Sequence, residues 1–479
     1  MTTNHQGNWD NISTNKKPLV NYNSDSESAS GRIKDDKRMF SNNHGACIKK
    51  STNKRPLVNY NSDSESTSGL NKDYKRMFSN NHGACIKKST NKRLLINYNS
   101  DSESASGRIK DDKRLSTNST RNRYGKNIKQ TMQHREKEMM LLFGQKHNLK
   151  KMFHFCVPWD SSDPVPHELF SSYQTLKKFY RPLYKNKVRV FSKKGNNEKN
   201  HMIVEFFPFE HMDEDRKKGW QDFVDFLLHR RNFINDVNKK NSSLISGTMY
   251  AEGWRKAQVP NQIVGRYINQ HKLNHQMTIK GFSQDEEEAG FMKMENFLST
   301  VFQEVASGAY DSCKNYLKEQ SIPSLSKMNF NQKENYCPDD FSSAITYTIN
   351  DFCNKAHVDN DTDNWTLIGF IPIKKDGDLA IEDFDVEGGE FVIRDLKVFT
   401  DLPKVKGITL VVLKTNKLKH QTIPSKSTSG LFTRLGFSCQ ISKNMSITME
   451  KYHSDHYEEK NHSFGNYDDY INKGKRKAA

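Results

Sequence analysis

His357-Val358-Asp359, followed by His420 and then by Arg434, supplies two imidazoles, one carboxylate and one guanidinium in that chain order. Two imidazoles and a carboxylate on one face of Fe(II) leave three coordination positions open, which is room for a bidentate 2-oxo acid and O2. A guanidinium is the natural partner for the far carboxylate of such an acid, because its planar fork forms two parallel charge-assisted hydrogen bonds. The four side chains read as a metal centre and the anchor of its co-substrate.

His-x-Asp also occurs at His211-Met212-Asp213 and His453-Ser454-Asp455. Residues two apart share a face only in extended chain, so the pair can serve one metal only at a strand or a strand end. After His211, Trp220, Phe223, Phe226 and Leu227 recur at helical spacing, which predicts a helix over 212–237 with Asp213 as an acid at its N-terminus. His453 has too little apolar sequence behind it to build the rest of a site. His357 alone is followed by several runs rich in β-branched and aromatic residues: 365–373, 389–399, 407–416 and 433–442. Turn signals such as Lys375-Asp376-Gly377-Asp378 and Leu402-Pro403 separate them. His357 and Asp359 precede one strand, His420 follows another and Arg434 begins the last.

Upstream, 188–191 and 202–209 are strand-like. A second helix is expected over 285–320, with Phe291, Met294, Phe297, Leu298, Val301 and Phe302 at three- and four-residue steps. Such a stripe belongs in a core, on the back of a sheet. The expected fold is α+β, a small β-barrel with supporting helices.

The segments NDFCNKAHVDNDTDNWTLIGFIPI, GGEFVIRDLKVF, LKHQTIPS and TRLGFSCQIS, with GTMYAEGWRKAQVPNQIVGRY upstream, resemble the Tet-like 2-oxoglutarate/Fe(II) oxygenase domain of fungal proteins. That domain belongs to the wider group of the ten-eleven translocation methylcytosine dioxygenases and the base-J thymine hydroxylases. The resemblance spans about 145–452 and implies a double-stranded β-helix, a jelly-roll of the cupin kind. It further implies that His357, Asp359 and His420 hold Fe(II), that Arg434 holds the 2-oxoglutarate carboxylate with Arg255 helping to bind the co-substrate and Ser438 a candidate for its pocket, and that O2 is consumed. The implied substrate is a modified pyrimidine such as 5-methylcytosine in nucleic acid. Oxidation of protein or RNA, or a catalytically silent nucleic-acid-binding protein, are the rival readings, because a ligand set does not name a substrate. A base in a duplex must be flipped out to reach such a centre, and Trp254 and Trp365 are candidates to stack it. Cys353 and Asn354, close to His357, are candidates to line the pocket.

Residues 15–114 contain a 38-residue repeat that begins at Asn15 and returns at Asn53 and Asn91, the third copy being incomplete. Each copy has little more than one Leu-Val or Leu-Ile pair to bury, too little to offset the entropy of ordering it. Residues 1–130 are expected to be a disordered arm, and 453–479 a polar basic tail. The arm carries 25 Lys+Arg against 12 Asp+Glu, or +13 of the chain's +18, a balance that favours polyanions such as DNA. Its Ser-Asp-Ser-Glu-Ser clusters suit phosphorylation, which would cancel that charge. His44/Cys47 and His82/Cys85 have metal-site residue types, but repetition alone duplicates the spacing. The 7 cysteines include no Cys-x-x-Cys, so a thiolate-rich zinc module is not expected. No apolar run approaches membrane-span length and no signal peptide is evident. A nuclear or cytoplasmic protein is expected, with Lys473, Lys475, Arg476 and Lys477 available for nuclear import.

Overall fold

The computed structural model describes residues 118–144, 152–158, 173–237, 243–259, 261–279, 281–362, 364–457 and 462–478. The repeats, their serine clusters and the His/Cys pairs lie outside these residues.

Helix α1 (Asn118–Phe143) begins inside the expected arm, so residues 118–130 are helical. The buried Met139, Leu142 and Phe143 near its end tie it to the core. It is followed by β1 (Met152–Val157), α2 (Tyr173–Phe179), β2 (Arg181–Leu183), β3 (Lys187–Lys194) and β4 (Asn197–Pro208). Helix α3 (Glu214–Arg230) starts at Asp213, whose carboxylate accepts the Arg216 amide at 2.7 Å. The first His-x-Asp pair is thus a helix cap beside an exposed His211. Then come β5 (Leu244–Lys256), β6 (Gln262–Arg266), α4 (Gln270–Met277) and α5 (Gln284–Glu319). Helix α5 bends where Ala306 leaves helical geometry, at φ −158° and ψ 72°.

The C-terminal half contributes β7 (Ala344–Asn354), β8 (Thr366–Lys374), β9 (Val386–Gly388), β10 (Phe391–Ile393), β11 (Val398–Thr400) and β12 (Gly407–Leu413). Next are β13 (His420–Thr422), β14 (Ser425–Ser427), β15 (Phe432–Gln440), α6 (Lys443–His453), β16 (Ser463–Gly465) and α7 (Tyr467–Ala478). The run 389–399, expected as one strand, is instead a hairpin: β10 and β11 pair antiparallel across a turn in which Lys397 takes φ +52°. Its charged middle, Arg394 and Asp395, is the turn's sequence signature.

Ten strands form one sheet in the order β1-β3-β4-β12-β8-β15-β7-β5-β6-β16, antiparallel except at its two outermost pairs. A four-stranded sheet, β13-β10-β11-β2, packs against it. Side chains alternate between the two faces of the large sheet. On β8 and β12, Leu367, Ile371, Leu410 and Val412 enter the core shared with α3 and α5, which also holds the α5 stripe. Ile368, Phe370, Val411 and Leu413 point the other way, against Phe391, Ile393 and Val398 of the small sheet. The fold is mixed α and β with large antiparallel sheets, compatible with a jelly-roll.

The expected basic tail is not a free end. Strand β16 pairs in parallel with β6, and Tyr467 and Ile471 are buried in the helix-side core. Two apolar residues one helical turn apart carry this docking, which the charge around them conceals.

Candidate metal centre

Where the two sheets meet beyond β7, the chain places His357 opposite His420 in a two-way backbone pair: His357 N donates to His420 O at 3.0 Å and His420 N to His357 O at 2.9 Å. The Asp359 amide donates to Thr415 O at 3.1 Å, in the turn between β12 and β13. Each imidazole places its Nδ1 against the carbonyl two residues behind it, Lys355 O and Leu418 O, both at 2.9 Å. Those bonds put the proton on Nδ1 and leave the Nε2 lone pair for a metal.

The two Nε2 atoms converge on Asp359, with His357 Nε2 3.3 Å from Oδ1 and His420 Nε2 3.7 Å from Oδ2. One donor atom from each residue lies within 4.8 Å of the others, and among the described residues no other group of three His, Cys, Asp or Glu side chains is so arranged. Gln440 Nε2 donates to Asp359 Oδ2 at 3.4 Å.

Electrostatics prepares these donors. Burial lowers the pKa of His420 below the ordinary imidazole value, although the Asp359 charge opposes it. Burial works against ionised Asp359, yet the His357 hydrogen bond and the two imidazoles prevail and hold its carboxyl below the usual range. Burial likewise pulls His357 down, and the contact with Asp359 more than reverses it. Asp361, which accepts from Thr415 Oγ1 at 3.1 Å, is pushed up to about 7 by burial and by the Asp359 charge.

A pocket of about 100 Å³ adjoins the cluster. Thr346 and Thr348 of β7 and Gly436, Ser438 and Gln440 of β15 line it from the large sheet. These are the positions that alternate with Ile345, Tyr347, Leu435, Phe437 and Cys439 in the helix-side core. Phe352, Ile368, Phe370 and Phe391 make the apolar part of the wall. Arg434 lies further along the same face of β15, buried, with Nη1 donating to Gly388 O at 3.3 Å. A Cβ on Gly389 would collide with that Nη1, and the glycine sits at φ +76°, so no side chain fits there without displacing the guanidinium.

Arg434 Nη2 is buried without a hydrogen-bond partner, as is Ser438 Oγ. A buried donor on a cation costs stability when it is unpaired, and an anionic ligand would satisfy it. Burial brings the Arg434 pKa down to about 10 against the opposing charges of Glu390 and Asp351. The donor set and this unpaired guanidinium nitrogen fit a metal and an anionic co-substrate. His357, Asp359 and His420 would hold the metal and Arg434 the distal carboxylate. When bound, such a metal supplies the oxidising power; the chain's share is to fix the donors, orient the co-substrate and keep water from the apolar wall.

The other sequence candidates divide between the pocket and its surroundings. Arg255, at the β5–β6 edge, donates to Lys256 O at 3.2 Å and stacks on Tyr267 at 5.3 Å, outside the pocket wall. Trp254 is fully buried, its Nε1 donating to Lys327 O at 2.8 Å, so it cannot stack a base. Trp365 is partly buried beneath Lys414, whose Nζ is 5.5 Å from the ring centre. Asn354 does line the pocket, its Oδ1 accepting the Thr422 amide at 2.7 Å, while Cys353 is buried beside it. Thr346, Thr348, Phe352, Phe391 and Gln440 are pocket residues that sequence reasoning missed. A polar residue at every second position of two otherwise apolar strands was the available signal.

Among known proteins, residues 213–425 match the family model described as the Tet-like 2OG-Fe(II) oxygenase superfamily. No curated protein matches the chain. Among solved structures, a bsmA homolog from Methylobium petroleophilum PM1 is similar at 11% identity, over 51% of this chain and 89% of that one, with a TM-score of 0.22, too loose a superposition to argue from. The stretch that matches this family model contains the cluster of His357, Asp359 and His420, and the protein is an oxygenase that works with Fe(II), 2-oxoglutarate and O2.

Proposed function

We propose that this enzyme is a dioxygenase that couples decarboxylation of 2-oxoglutarate to oxidation of a C–H bond on a modified pyrimidine, such as 5-methylcytosine, in nucleic acid. Its core is a double-stranded β-helix, a reading supported by the way the chain passes from β8 in the large sheet to β10 and β11 in the small one, back to β12, out to β13 and back to β15. The observation that carries the proposal is the convergence of His357, Asp359 and His420 beside an Arg434 whose Nη2 has no partner. The ligands contact metal and the guanidinium contacts co-substrate, so the remaining apolar wall is left for the target group.

Likeness to the Tet group and the net +13 of residues 1–130 support a nucleic-acid substrate. A base must leave the stack to approach ligands as buried as His420; Phe352 and Phe391 in the pocket wall are the rings we assign to receive it, and the fully buried Trp254 cannot take that role.

The test is incubation of the full chain with Fe(II), 2-oxoglutarate, ascorbate and DNA containing 5-methylcytosine, with succinate and oxidised bases measured by mass spectrometry. Both products are expected. Succinate without an oxidised base would transfer the activity to a protein or RNA group, and no succinate under any condition would leave a nucleic-acid-binding protein that has lost turnover.

A further inference from the structure

A groove of about 860 Å³ lies outside the metal pocket, between α1, α5, the β3–β4 hairpin and the turn after β12. It is a built feature. Gly308 of α5 meets the end of α1 so closely that a Cβ there would lie 2.6 Å from Met140 O and 2.7 Å from Gly144 N. Ser307 Oγ donates to Phe143 O at the same junction, next to the bend at Ala306. On the opposite side, Asn200 donates from Nδ2 to Glu138 O at 2.6 Å and from its amide to Glu138 Oε2 at 3.2 Å, which fixes the hairpin against α1.

Four lysines line the groove: Lys137 from α1, Lys199 from the hairpin, and Lys414 and Lys417 from the turn. Asp311 and Glu138 are the acids among the lining residues, and Glu138 is engaged with Asn200. Asn315 and Ser312 add neutral hydrogen-bonding groups, and the exposed Met140 and Leu141 an apolar strip. Trp365 holds the Lys414 ammonium over its ring in the groove wall. The turn that carries Lys414 and Lys417 also offers Thr415 O to the Asp359 amide and Thr415 Oγ1 to Asp361, so the groove's rim and a metal ligand share one short piece of backbone.

We infer that this groove binds a single nucleic-acid strand through its phosphates. Lysines lining a channel with an apolar strip suit a sequence-independent strand site. The inference rests on the nucleic-acid reading above. It adds where the strand runs: along α1, which continues from the basic arm in sequence, toward the turn beside Asp359. Lys414 and Lys417 then place a phosphate next to the turn that positions a metal ligand, which separates strand binding from base chemistry by one turn of chain.

The test is fluorescence anisotropy of a labelled single-stranded 20-mer with the full chain over a range of salt. The triple variant Lys137→Ala, Lys199→Ala, Lys417→Ala should bind roughly tenfold more weakly, and its plot of log affinity against log salt should be shallower by about 2, at about 0.7 for each phosphate left without its lysine. Asp311→Asn should bind more tightly, a gain that misfolding cannot produce. Substrate-free succinate formation should be unchanged in both. Equal affinity and slope for all three proteins would overturn the inference. So would a wild-type preference for a phosphorylated Ser-Asp-Ser-Glu-Ser peptide that the triple variant loses, since the groove would then be an acidic-peptide site. Base oxidation with no effect of the lysines removes the groove and keeps the proposed function; strand binding without base oxidation does the reverse.

Discussion

His357 and His420 are joined through their main chains, each amide donating to the other's carbonyl at 3.0 and 2.9 Å, so the backbone itself holds the two residues side by side. Removing either imidazole leaves that pair intact. His357→Ala, Asp359→Ala and His420→Ala should therefore abolish succinate formation and Fe(II) binding while the metal-free fold persists, with unfolding free energies within about 1–3 kcal/mol of wild type. His211→Ala and His453→Ala should retain full turnover. Calorimetric metal titration beside a thermal melt checks both halves.

Arg434→Ala should act mainly on KM for 2-oxoglutarate, because the guanidinium contacts the co-substrate before and after the transition state alike. A charge-assisted contact of roughly 1.5–3 kcal/mol predicts a rise of about 10- to 150-fold, with kcat much less affected. Arg434→Lys should recover only part of it, since a point ammonium cannot reproduce the fork. Steady-state kinetics with 2-oxoglutarate varied is the measurement.

Gln440 touches Asp359 Oδ2 from β15 and is a positioning residue. Its replacement by Leu should weaken Fe(II) binding by about 10- to 100-fold, as removal of a hydrogen bond behind a metal ligand does. Glu at 440 should be worse, because it sets a second carboxylate against Asp359. Titration with Co(II), followed by its visible absorption, reads the site without requiring turnover.

His201 makes a 2.7 Å hydrogen bond to the fully buried Ser192, and burial, aided by the Lys199 charge, pulls its pKa down to about 4 from the usual 6.5. The unfolded chain binds this proton more readily than the folded one, so its contribution to stability is complete above pH 6.5 and is lost as pH falls toward 4, at up to about 1.4 kcal/mol per unit. His201→Gln should flatten that part of the stability curve, measured by denaturant unfolding between about pH 4 and 7. Parallel curves for the two proteins would show that His201 titrates as it does in the unfolded chain.

The cluster of His357, Asp359 and His420 was legible because its pattern is local in sequence: a His-x-Asp pair that shares one site must be extended, and only one of three had strands behind it. The long helices were legible from their period, with 285–320 observed as Gln284–Glu319. The 389–399 run misled because its apolar ends alternate correctly while its charged middle turns. Trp254 misled for a different reason: it sits in a motif-like stretch, but where β5 pairs with β6 its ring turns into the core and is fully buried, and which face of a strand is covered cannot be read from that strand's composition alone. The docking of α7 was hidden because Tyr467 and Ile471 are two apolar residues in a charged segment.

Strand β15 gives odd-numbered residues Leu435, Phe437 and Cys439 to the helix-side core and even-numbered Arg434, Gly436, Ser438 and Gln440 to the chemistry. Deleting or inserting one residue within it would exchange the two sets, putting a guanidinium and an amide among aromatic rings and three apolar groups into the pocket beside His357, Asp359 and His420. Substitutions here can be tolerated one face at a time. Length changes cannot, so diversification of this pocket must proceed by replacing alternate side chains in a strand of fixed length, with insertions confined to the loops at its ends.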